Sequence, residues 1–292
     1  MAALPKTFSL GRGATLFRSS RGFTWAGMKL KLPFFKKHPR VAVIRLAGSI
    51  AAGTRGSLSD EALAPLIERA FRKGKPKAVA LILNSPGGSP VQSGLIAARI
   101  RRLADEKQIP VHAFVEDVAA SGGYWLAAAA DDIWADGGSI IGSIGVISAG
   151  FGAHELLERQ GVERRVYTAG KSKSTLDPFQ KEKPADVARL KTLLDEMHTL
   201  FISHVQARRA GKLDETAELF TGEFWLAGRA LELGLIDGIA HVEPKLKELY
   251  GEKVRLIRYG RKKPLLSRFG AQVLEDGVAA LEERAHFARF GL

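Results

Sequence analysis

Apolar runs of strand length alternate with helix-like patterns along the first half of the chain. Three such runs, at residues 41–46, 78–83 and 109–118, are rich in β-branched or aromatic residues. Between them, from residues 57 and 91 onward, apolar positions recur at the spacing of a helix. Strands that are apolar on both faces and alternate with helices are typical of parallel sheets with crossover helices. The pattern therefore predicts an α/β fold.

Shorter patterns continue through the second half of the chain. Strands are predicted at residues 133–135, 140–147, 166–168 and 254–258. Helices are predicted at residues 154–160, 184–209 and 225–233. A last apolar stripe predicts a terminal helix and comprises Leu274, Val278, Leu281, Ala285 and Ala288.

The distribution of charge divides the chain into three segments. The formal net charge is +13, yet no Asp or Glu precedes Asp60. Residues 1–39 form a basic extension with interspersed aromatic side chains, residues 40–250 hold most of the strands and helices, and residues 251–292 add a late strand and an amphipathic helix. A chain of 292 residues is long enough to bury a sizeable core.

The basic extension has the composition of a segment that contacts an anionic membrane surface. It contains neither an apolar run of the roughly 20 residues that span a bilayer nor a signal-peptide pattern. A solvated, disordered arm is the alternative. We expect a cytoplasmic protein in peripheral contact with the inner membrane through residues 1–39. No nucleic-acid partner is expected, because no nucleic-acid-binding motif accompanies the charge.

Composition also excludes several kinds of chemistry. The chain has no cysteine, so disulfides, thiolate catalysis and Cys-ligated zinc are ruled out. No H-E-x-x-H spacing occurs, and the glycine-rich turn after the second predicted strand lacks the lysine of a phosphate-binding loop. We therefore expect no cofactor and no metal.

Ser121 lies where the third apolar run meets a run of helix formers at residues 124–130. The first N–H groups of a helix have no intrahelical acceptor, and the helix dipole favours negative charge there. Gly122 and Gly123 would let a substrate approach these donors, so an oxyanion that forms beside Ser121 could be stabilised. Ser121 is therefore a candidate nucleophile. The alternative is that its hydroxyl only caps the helix.

A second glycine-rich turn, at residues 84–89, follows the second predicted strand. In parallel α/β sheets, ligands bind beyond the carboxyl ends of strands, where both turns are expected. The backbone of this turn could give a second N–H to the same oxyanion, although Pro-Gly is also an ordinary turn. Residues 142–146 form a glycine-framed extended segment that could pair with an extended peptide.

A serine hydroxyl needs a neighbouring base to become a nucleophile. None of the seven histidines is framed by a turn that would present it to substrate. A lysine can act as a base where burial or a nearby cation lowers its pKa towards neutrality. Lys171 and Lys173 lie on a glycine-led loop after a predicted strand. The residues alone do not choose between these lysines, and both could be solvated surface side chains.

Several spaced motifs together closely resemble the signal peptide peptidase A and protease SohB-like family of serine peptidases, family S49. They are Asn-Ser-Pro-Gly-Gly at 84–88, Ala-Ser-Gly-Gly-Tyr at 120–124, Gly-Ser-Ile-Gly-Val at 142–146, Gly-Lys-Ser-Lys at 170–173 and Ala-Leu-Glu-Leu-Gly-Leu-Ile-Asp at 230–237. The similarity extends from about residue 41 to residue 248. It implies a ClpP/crotonase-like fold with a catalytic domain at residues 40–250.

The resemblance implies a Ser/Lys dyad in which Ser121 is the nucleophile, Lys173 is the general base and Ser143 orients the lysine amine. The amides of Gly88 and Gly122 would form the oxyanion hole. The substrate-binding residues would be Gly87, Gly142, Ile144 and Gly145.

The resemblance also implies partners. Family members form closed rings or domes, so a homo-oligomer is expected, in which the lysine can come from a neighbouring subunit. The expected substrates are peptides, either signal-peptide remnants or membrane-associated polypeptides. Many members carry an N-terminal signal anchor where this chain has its basic extension.

Two other functions are alternatives to a peptidase. A crotonase-type acyl-CoA hydratase or isomerase shares the fold and the glycine oxyanion hole, but it needs a carboxylate base instead of a Ser/Lys pair. An inactive scaffold would bind peptides or membrane without cutting.

Overall fold

One sheet of eight strands organises the part of the chain that the computed structural model describes, residues 38–53, 57–170, 172–260 and 284–292. The strands are β1 (Arg40–Ala47), β2 (Ala78–Ser85), β3 (Val111–Ala120), β4 (Asp132–Ala135), β5 (Ile140–Gly142), β6 (Phe224–Leu226), β7 (Gly238–Ile239) and β8 (Arg255–Tyr259). Their order is β6-β5-β3-β2-β1-β8, and β4 pairs with β3 and β7. Every pairing is parallel except that of β5 with β6.

Helices link the parallel strands and cover the sheet. They are α1 (Asp60–Arg72), α2 (Pro90–Lys107), α3 (Gly122–Ala128), α4 (His154–Arg159), α5 (Pro184–Arg208), α6 (Ala227–Glu232) and α7 (Val242–Tyr250). Because α1, α2 and α3 join successive parallel strands from β1 to β4, the predicted α/β fold with crossover helices is confirmed. The predictions for residues 1–37 and for the start of the terminal helix lie outside the described residues; residues 284–288 are helical.

Successive residues of the central strands point into two separate cores, which explains why these strands are apolar on both faces. In β2, Val79 and Leu81 pack with the side chains of α1, α2 and α3. Ala80 and Ile82, on the opposite face, pack with Leu246 of α7. β2 is therefore buried along almost its whole length, whereas β1 and β3 each expose a charged side chain in their carboxyl-terminal half, Arg45 and Asp117.

Two predicted elements around the β5–β6 edge are wrong in part. The strand predicted at 140–147 ends at Gly142, and the helix predicted at 225–233 begins as a strand. Trp225 pairs with Ile141 across the antiparallel edge, and the helix starts only at Ala227. Pairing with β5 overrides the helical pattern of this short apolar run.

The strand predicted at residues 166–168 does not form. Among the described residues from 145 to 200, none is buried. An apolar stretch without a core or a partner strand gains little from an extended conformation, because strand preference mainly reflects packing on neighbours. We call residues 145–200 the exposed segment.

The strand predicted near residue 254 belongs to the main sheet. β8 pairs in parallel with β1, and Arg40 lies opposite Arg255. Across the described ranges, we find no helix with both the length and the apolarity needed to cross a membrane.

Candidate active site

Three turns of the candidate site lie side by side at the carboxyl ends of β2, β3 and β5. The register sets Ser85 of β2 opposite Ala119 of β3 and sets Ala120 opposite Gly142 of β5. The residues that follow these strands, at 86–89, 121–123 and 143–145, therefore meet at one edge of the sheet. This is the edge at which open parallel sheets bind ligands.

Ser121 occupies a strained backbone conformation at the tight turn from β3 into α3. Its φ of 52° and ψ of −124° are rare for a residue with a side chain, and such strain persists only where the surroundings enforce it. The Ser121 N–H donates to the carbonyl of Gly142 at 2.8 Å. The Ser121 hydroxyl makes no capping hydrogen bond, so the alternative in which this serine only caps the helix lacks its defining contact.

The turn at residues 86–89 is held by the loop that follows β1. The Ile50 N–H donates to the carbonyl of Gly87 at 2.8 Å, and the Ser89 N–H donates to the carbonyl of Ile50 at 2.7 Å. Because the C=O and N–H of a trans peptide point in opposite directions, the N–H of Gly88 points away from Ile50. Gly88 is exposed, and its N–H has no acceptor in the described part of the chain.

The amides of Gly88 and Gly122 lie close to each other and to Ser121. A Cβ atom at Gly87 would lie 2.8 Å from both the Gly122 nitrogen and the Ser121 Cβ, and a Cβ atom at Gly122 would lie 3.4 Å from the Gly88 nitrogen. Gly122 is the first residue of α3, so its N–H has no intrahelical acceptor. Two N–H donors without an acceptor among the described residues thus lie beside the nucleophile candidate.

Two buried serines explain the glycines after Ser121. A Cβ atom at Gly122 would overlap the Ser93 hydroxyl, and one at Gly123 would overlap the Ser85 carbonyl. The Ser93 hydroxyl donates to the Ser89 carbonyl at 2.9 Å. The glycines are therefore needed for packing, whereas the sequence suggested only substrate access. No sequence signal marks Ser93, which contacts the site only because α2 folds back over α3.

Ser143 lies beside Ser121, because Ala120 and Gly142 are register partners. It also has a positive φ, 52°, and its N–H donates to the Glu223 carbonyl at 2.6 Å. The Ser143 side chain is half-buried and has no hydrogen bond to the described residues. Since no strand continues past Gly142, the segment expected to pair with a peptide is irregular from Ser143 onward.

Packing fixes the substrate-binding candidates around Ser143. Ile144 is fully buried, and its carbonyl accepts a hydrogen bond from His198 Nε2 at 3.1 Å. A Cβ atom at Gly145 would come within 3.0 Å of the Gly222 Cα, so a larger residue there would press on the neighbouring chain. This short segment is therefore positioned by α5 on one side and by the turn before β6 on the other.

Lys173 is far less constrained than the turns. Its backbone N–H bonds to the Gly170 carbonyl at 3.3 Å, and its side chain is exposed. Among the described residues, the Lys173 amine has no hydrogen bond or ion pair, and so no direct bond to Ser121 or Ser143. Lys171 lies outside the described residues. The single chain therefore holds Ser121 and the two amides together but does not bond Lys173 to them.

Helix α5 docks on α3, the helix that follows Ser121. The rings of Phe201 and His204 stack on Trp125 at centroid distances of 4.8 and 5.0 Å. His204 Nε2 donates to the Trp125 carbonyl at 3.0 Å. Burial lowers the pKa of His204; the hydrogen bond to that carbonyl acts in the opposite direction, and the Arg208 charge adds to the lowering. These contacts fix α3 without touching Ser121.

The motif at residues 230–237 contacts α3. The Tyr124 hydroxyl donates to the Leu235 carbonyl at 2.7 Å. The buried Arg209 guanidinium bonds to the Gly234 carbonyl and to Asp237 Oδ2, the latter at 2.6 Å. Burial alone would raise the pKa of Asp237, but the hydrogen bonds from Arg209 and Lys212 outweigh it and lower this pKa. In the ranges described, no cluster of His, Asp and Glu could hold a metal ion.

A family model and several relatives with protease names indicate one family. The family model described as "Peptidase family S49" matches residues 104–254. The Haemophilus influenzae protein named "Probable protease SohB" is 34% identical over 245 residues, which cover 83% of this chain and 67% of that protein. The Arabidopsis thaliana protein named "Serine protease SPPA, chloroplastic" is 31% identical over 254 residues, which cover 80% of this chain and 37% of that protein.

A longer bacterial protein is also similar. The Brucella abortus protein named "Na(+)/H(+) antiporter NhaA" is 48% identical over 299 aligned positions, which cover 95% of this chain. The chain spans 41% of the length of that protein. Because the alignment covers almost the whole chain, it includes nearly all of the residues that the peptidase model matches.

Proposed function

The chain belongs to peptidase family S49, and from this premise we propose that it is a serine peptidase with Ser121 as nucleophile and Lys173 as general base. Family membership confirms the resemblance and, with the parallel sheet and its crossover helices, the fold class that the resemblance implied. The observation that carries the proposal is the strained, uncapped Ser121 beside two unpartnered amides. Strain of this kind presents the nucleophile in the strand-to-helix elbows of other hydrolases.

In the proposed reaction, unprotonated Lys173 takes the proton of the Ser121 hydroxyl as its oxygen attacks the peptide carbonyl. The N–H groups of Gly88 and Gly122 donate to the oxyanion of the tetrahedral intermediate; loss of one such donor typically costs about 3 kcal/mol in the barrier. The protonated lysine then gives its proton to the leaving amine, which leaves an acyl-enzyme. Water, activated by the same lysine, hydrolyses this ester and restores Ser121.

Ser143 is proposed to orient the lysine amine, which its position beside Ser121 supports. The substrate would lie extended past Gly87 and along Gly142, Ile144 and Gly145. Because β5 pairs with β3 on one side and with β6 on the other, a peptide can pair only with the irregular stretch beyond Gly142. Signal-peptide remnants and membrane-associated polypeptides with small or apolar side chains are the proposed substrates.

Assembly into a homo-oligomeric ring or dome is proposed to bring the base to the nucleophile. A lysine acts as a base only when it is unprotonated, and burial favours that form. Lys173 is exposed in the single chain, within an exposed segment whose Phe151 and Tyr167 side chains are 93% and 91% accessible. A neighbouring subunit would cover these side chains and surround the lysine at the same time.

Labelling with a fluorophosphonate tests the nucleophile. We expect the unmodified protein to react at one serine, Ser121→Ala to lose the label, and the matched control Ser203→Ala to keep it, because the exposed Ser203 lies on α5 and bonds only to the Thr199 carbonyl. Labelling that survives in Ser121→Ala would refute the proposed nucleophile. Turnover of acyl-CoA by Ser121→Ala would instead support the crotonase-type alternative. If the unmodified protein is not labelled and does not turn over acyl-CoA, the inactive scaffold is the function that the experiment supports.

A further inference from the structure

Three cations lie side by side at the amino-terminal edge of the sheet, opposite the candidate active site. Arg40 opens β1, and its register partner on β8 is Arg255. On the other side of Arg40, the N–H of Lys77 donates to the Arg40 carbonyl at 2.8 Å, directly before β2. All three side chains are exposed. Neighbouring strands thus present a row of like charges.

The turn between α1 and β2 adds further positive charge to this row. Arg72 and Lys73 end α1, and Lys75 follows Gly74. The Arg40 guanidinium lies against this turn, since its Nη1 is 3.1 Å from the position of a Cβ atom at Gly74. We call the set comprising Arg40, Arg72, Lys73, Lys75, Lys77 and Arg255 the basic edge.

No member of the basic edge forms an ion pair within the described residues, although many other cations of the chain do. Arg99, for example, bonds to both Asp60 and Glu68. Like charges opposite each other on adjacent strands are destabilising. Arg72 and Lys73 have a structural role, because cations favour the end of a helix. That explanation does not extend to Arg40, Lys77 and Arg255, which lie on strands or just before them.

We propose that the basic edge docks the protein on the surface of an anionic phospholipid bilayer. A row of unpaired guanidinium and ammonium groups complements a surface of lipid phosphates, and each cation near such a surface contributes to binding. Residues 1–39 directly precede Arg40 of the basic edge in the sequence. They contain Lys and Arg interspersed with Phe and Trp, and no acidic residue. Basic and aromatic residues in combination are typical of membrane interfaces, which favours lipid over nucleic acid.

Docking through the basic edge sets the orientation of the active site. β1 and β2 run from this edge to the turns around Ser121, and eight residues of strand span about 26 Å. Ser121 would thus lie well beyond the roughly 8 Å over which charges interact at physiological salt. Substrates would be cut after they leave the bilayer surface. The proposal is independent of the dyad, since it depends only on the opposite edge of the sheet.

Vesicle binding tests the proposal in the full chain. Partition into phosphatidylserine-containing vesicles is compared for the unmodified protein, for Arg40→Gln/Lys77→Gln/Arg255→Gln, and for the control Lys181→Gln/Arg189→Gln/Lys191→Gln, which removes the same charge from exposed positions outside the basic edge. Each cation near the surface contributes about fivefold, so the first variant should bind about 100-fold more weakly. The control should bind like the unmodified protein, and no protein should bind pure phosphatidylcholine vesicles.

Equal losses in both triple variants would show an effect of net charge alone and would overturn the proposal, as would undiminished binding of the first variant. Binding to RNA that is lost in the first variant, without binding to vesicles, would reassign the edge to nucleic acid. Labelling of the first variant by a fluorophosphonate should stay unchanged, which shows that it is folded and separates this test from that of the dyad.

A depth measurement tests the orientation. Because the chain has no cysteine, Lys75→Cys and Val91→Cys each carry a single fluorophore, at the basic edge and beside the Gly88 turn respectively. Brominated lipids should quench the label at residue 75 and leave the label at residue 91 unaffected. The reverse pattern would overturn the proposed orientation.

Discussion

The turns around Ser121 and the exposed segment that carries Lys173 differ in what holds them. The turns are fixed by the core of the sheet: Ile50 bonds both sides of Gly88, and Ser93 and Ser85 pack directly on the glycines of α3. The exposed segment contains no buried residue among those described. One chain thus preorganises the proposed nucleophile and the proposed oxyanion donors, while the proposed base depends on contacts that the single chain does not supply.

The exposed segment nevertheless has local order of its own. The Ala153 N–H donates to the Pro178 carbonyl at 2.6 Å, and the Arg164 guanidinium bonds to Asp177 while it packs on the ring of Phe179. The Phe179 N–H and the Arg164 charge lower the pKa of Asp177. Exposed pairs of this kind contribute little stability. The segment therefore has local structure within the single chain, but few contacts attach it to the sheet.

The largest expected effect is a loss of catalysis when either region is changed. Ser121→Ala and Lys173→Ala should each lower kcat by at least about 10⁴-fold, as loss of a nucleophile or base does in other serine hydrolases. If neighbouring subunits share the dyad, an assembly that contains the two single variants in equal amounts should regain roughly a quarter of the activity of the unmodified protein. Half of its sites keep Ser121, and half of the subunits next to those sites keep Lys173. Peptide cleavage before and after mixing measures this recovery.

The control for mixing is a double variant, Ser121→Ala/Lys173→Ala, combined with each single variant. These mixtures contain no complete dyad and should stay inactive. An active Lys173→Ala protein on its own would rule out Lys173 as the base, whereas inactive mixtures of two folded single variants would place both residues of the dyad in one subunit.

An intermediate effect compares the buried face and the exposed face of α5. Phe201→Ala removes a ring that is 2% exposed and stacked on Trp125, and it should lower the free energy of unfolding by about 3–5 kcal/mol. Its neighbour Leu200 is 59% exposed, so Leu200→Ala should change the stability of the single chain by less than about 0.5 kcal/mol. Denaturant unfolding at low protein concentration measures both. Equal losses would contradict the view that α5 docks through the face that carries Phe201.

The smallest expected effect concerns pH. Since burial lowers the pKa of His204, the unfolded chain binds a proton more readily than the folded chain. The contribution of His204 to stability is then complete above the ordinary histidine pKa of about 6.5 and is lost as the pH falls through the lower, folded value. Gln at this position can donate to the Trp125 carbonyl without titrating. In His204→Gln, the loss of thermal stability below pH 6.5 should therefore be smaller, and an unchanged slope would exclude His204 as its source.

The sequence by itself determined the first three strands, the crossover helices that follow them and the turns at the carboxyl ends of β2 and β3. It could do so because β2 and β3 are buried on both faces, which leaves a continuous apolar run in the sequence, and because glycine marks tight turns directly. The turn after β3 made Ser121 a candidate nucleophile, and the family resemblance then added Lys173 as its base. Those two assignments remain predictions, since their chemistry depends on groups that come together only in three dimensions.

The tertiary structure alone decided what surrounds those residues. Trp225 became part of a strand because Ile141 offered a pairing partner, and residues 166–168 stayed irregular because no strand of the described part of the chain pairs with them. The positive φ of Ser121 and the two free amides follow from contacts among α2, α3 and the loop after β1, which are far apart in sequence. Local patterns record burial and turns, whereas the relative position of distant segments results from the packing of the whole sheet.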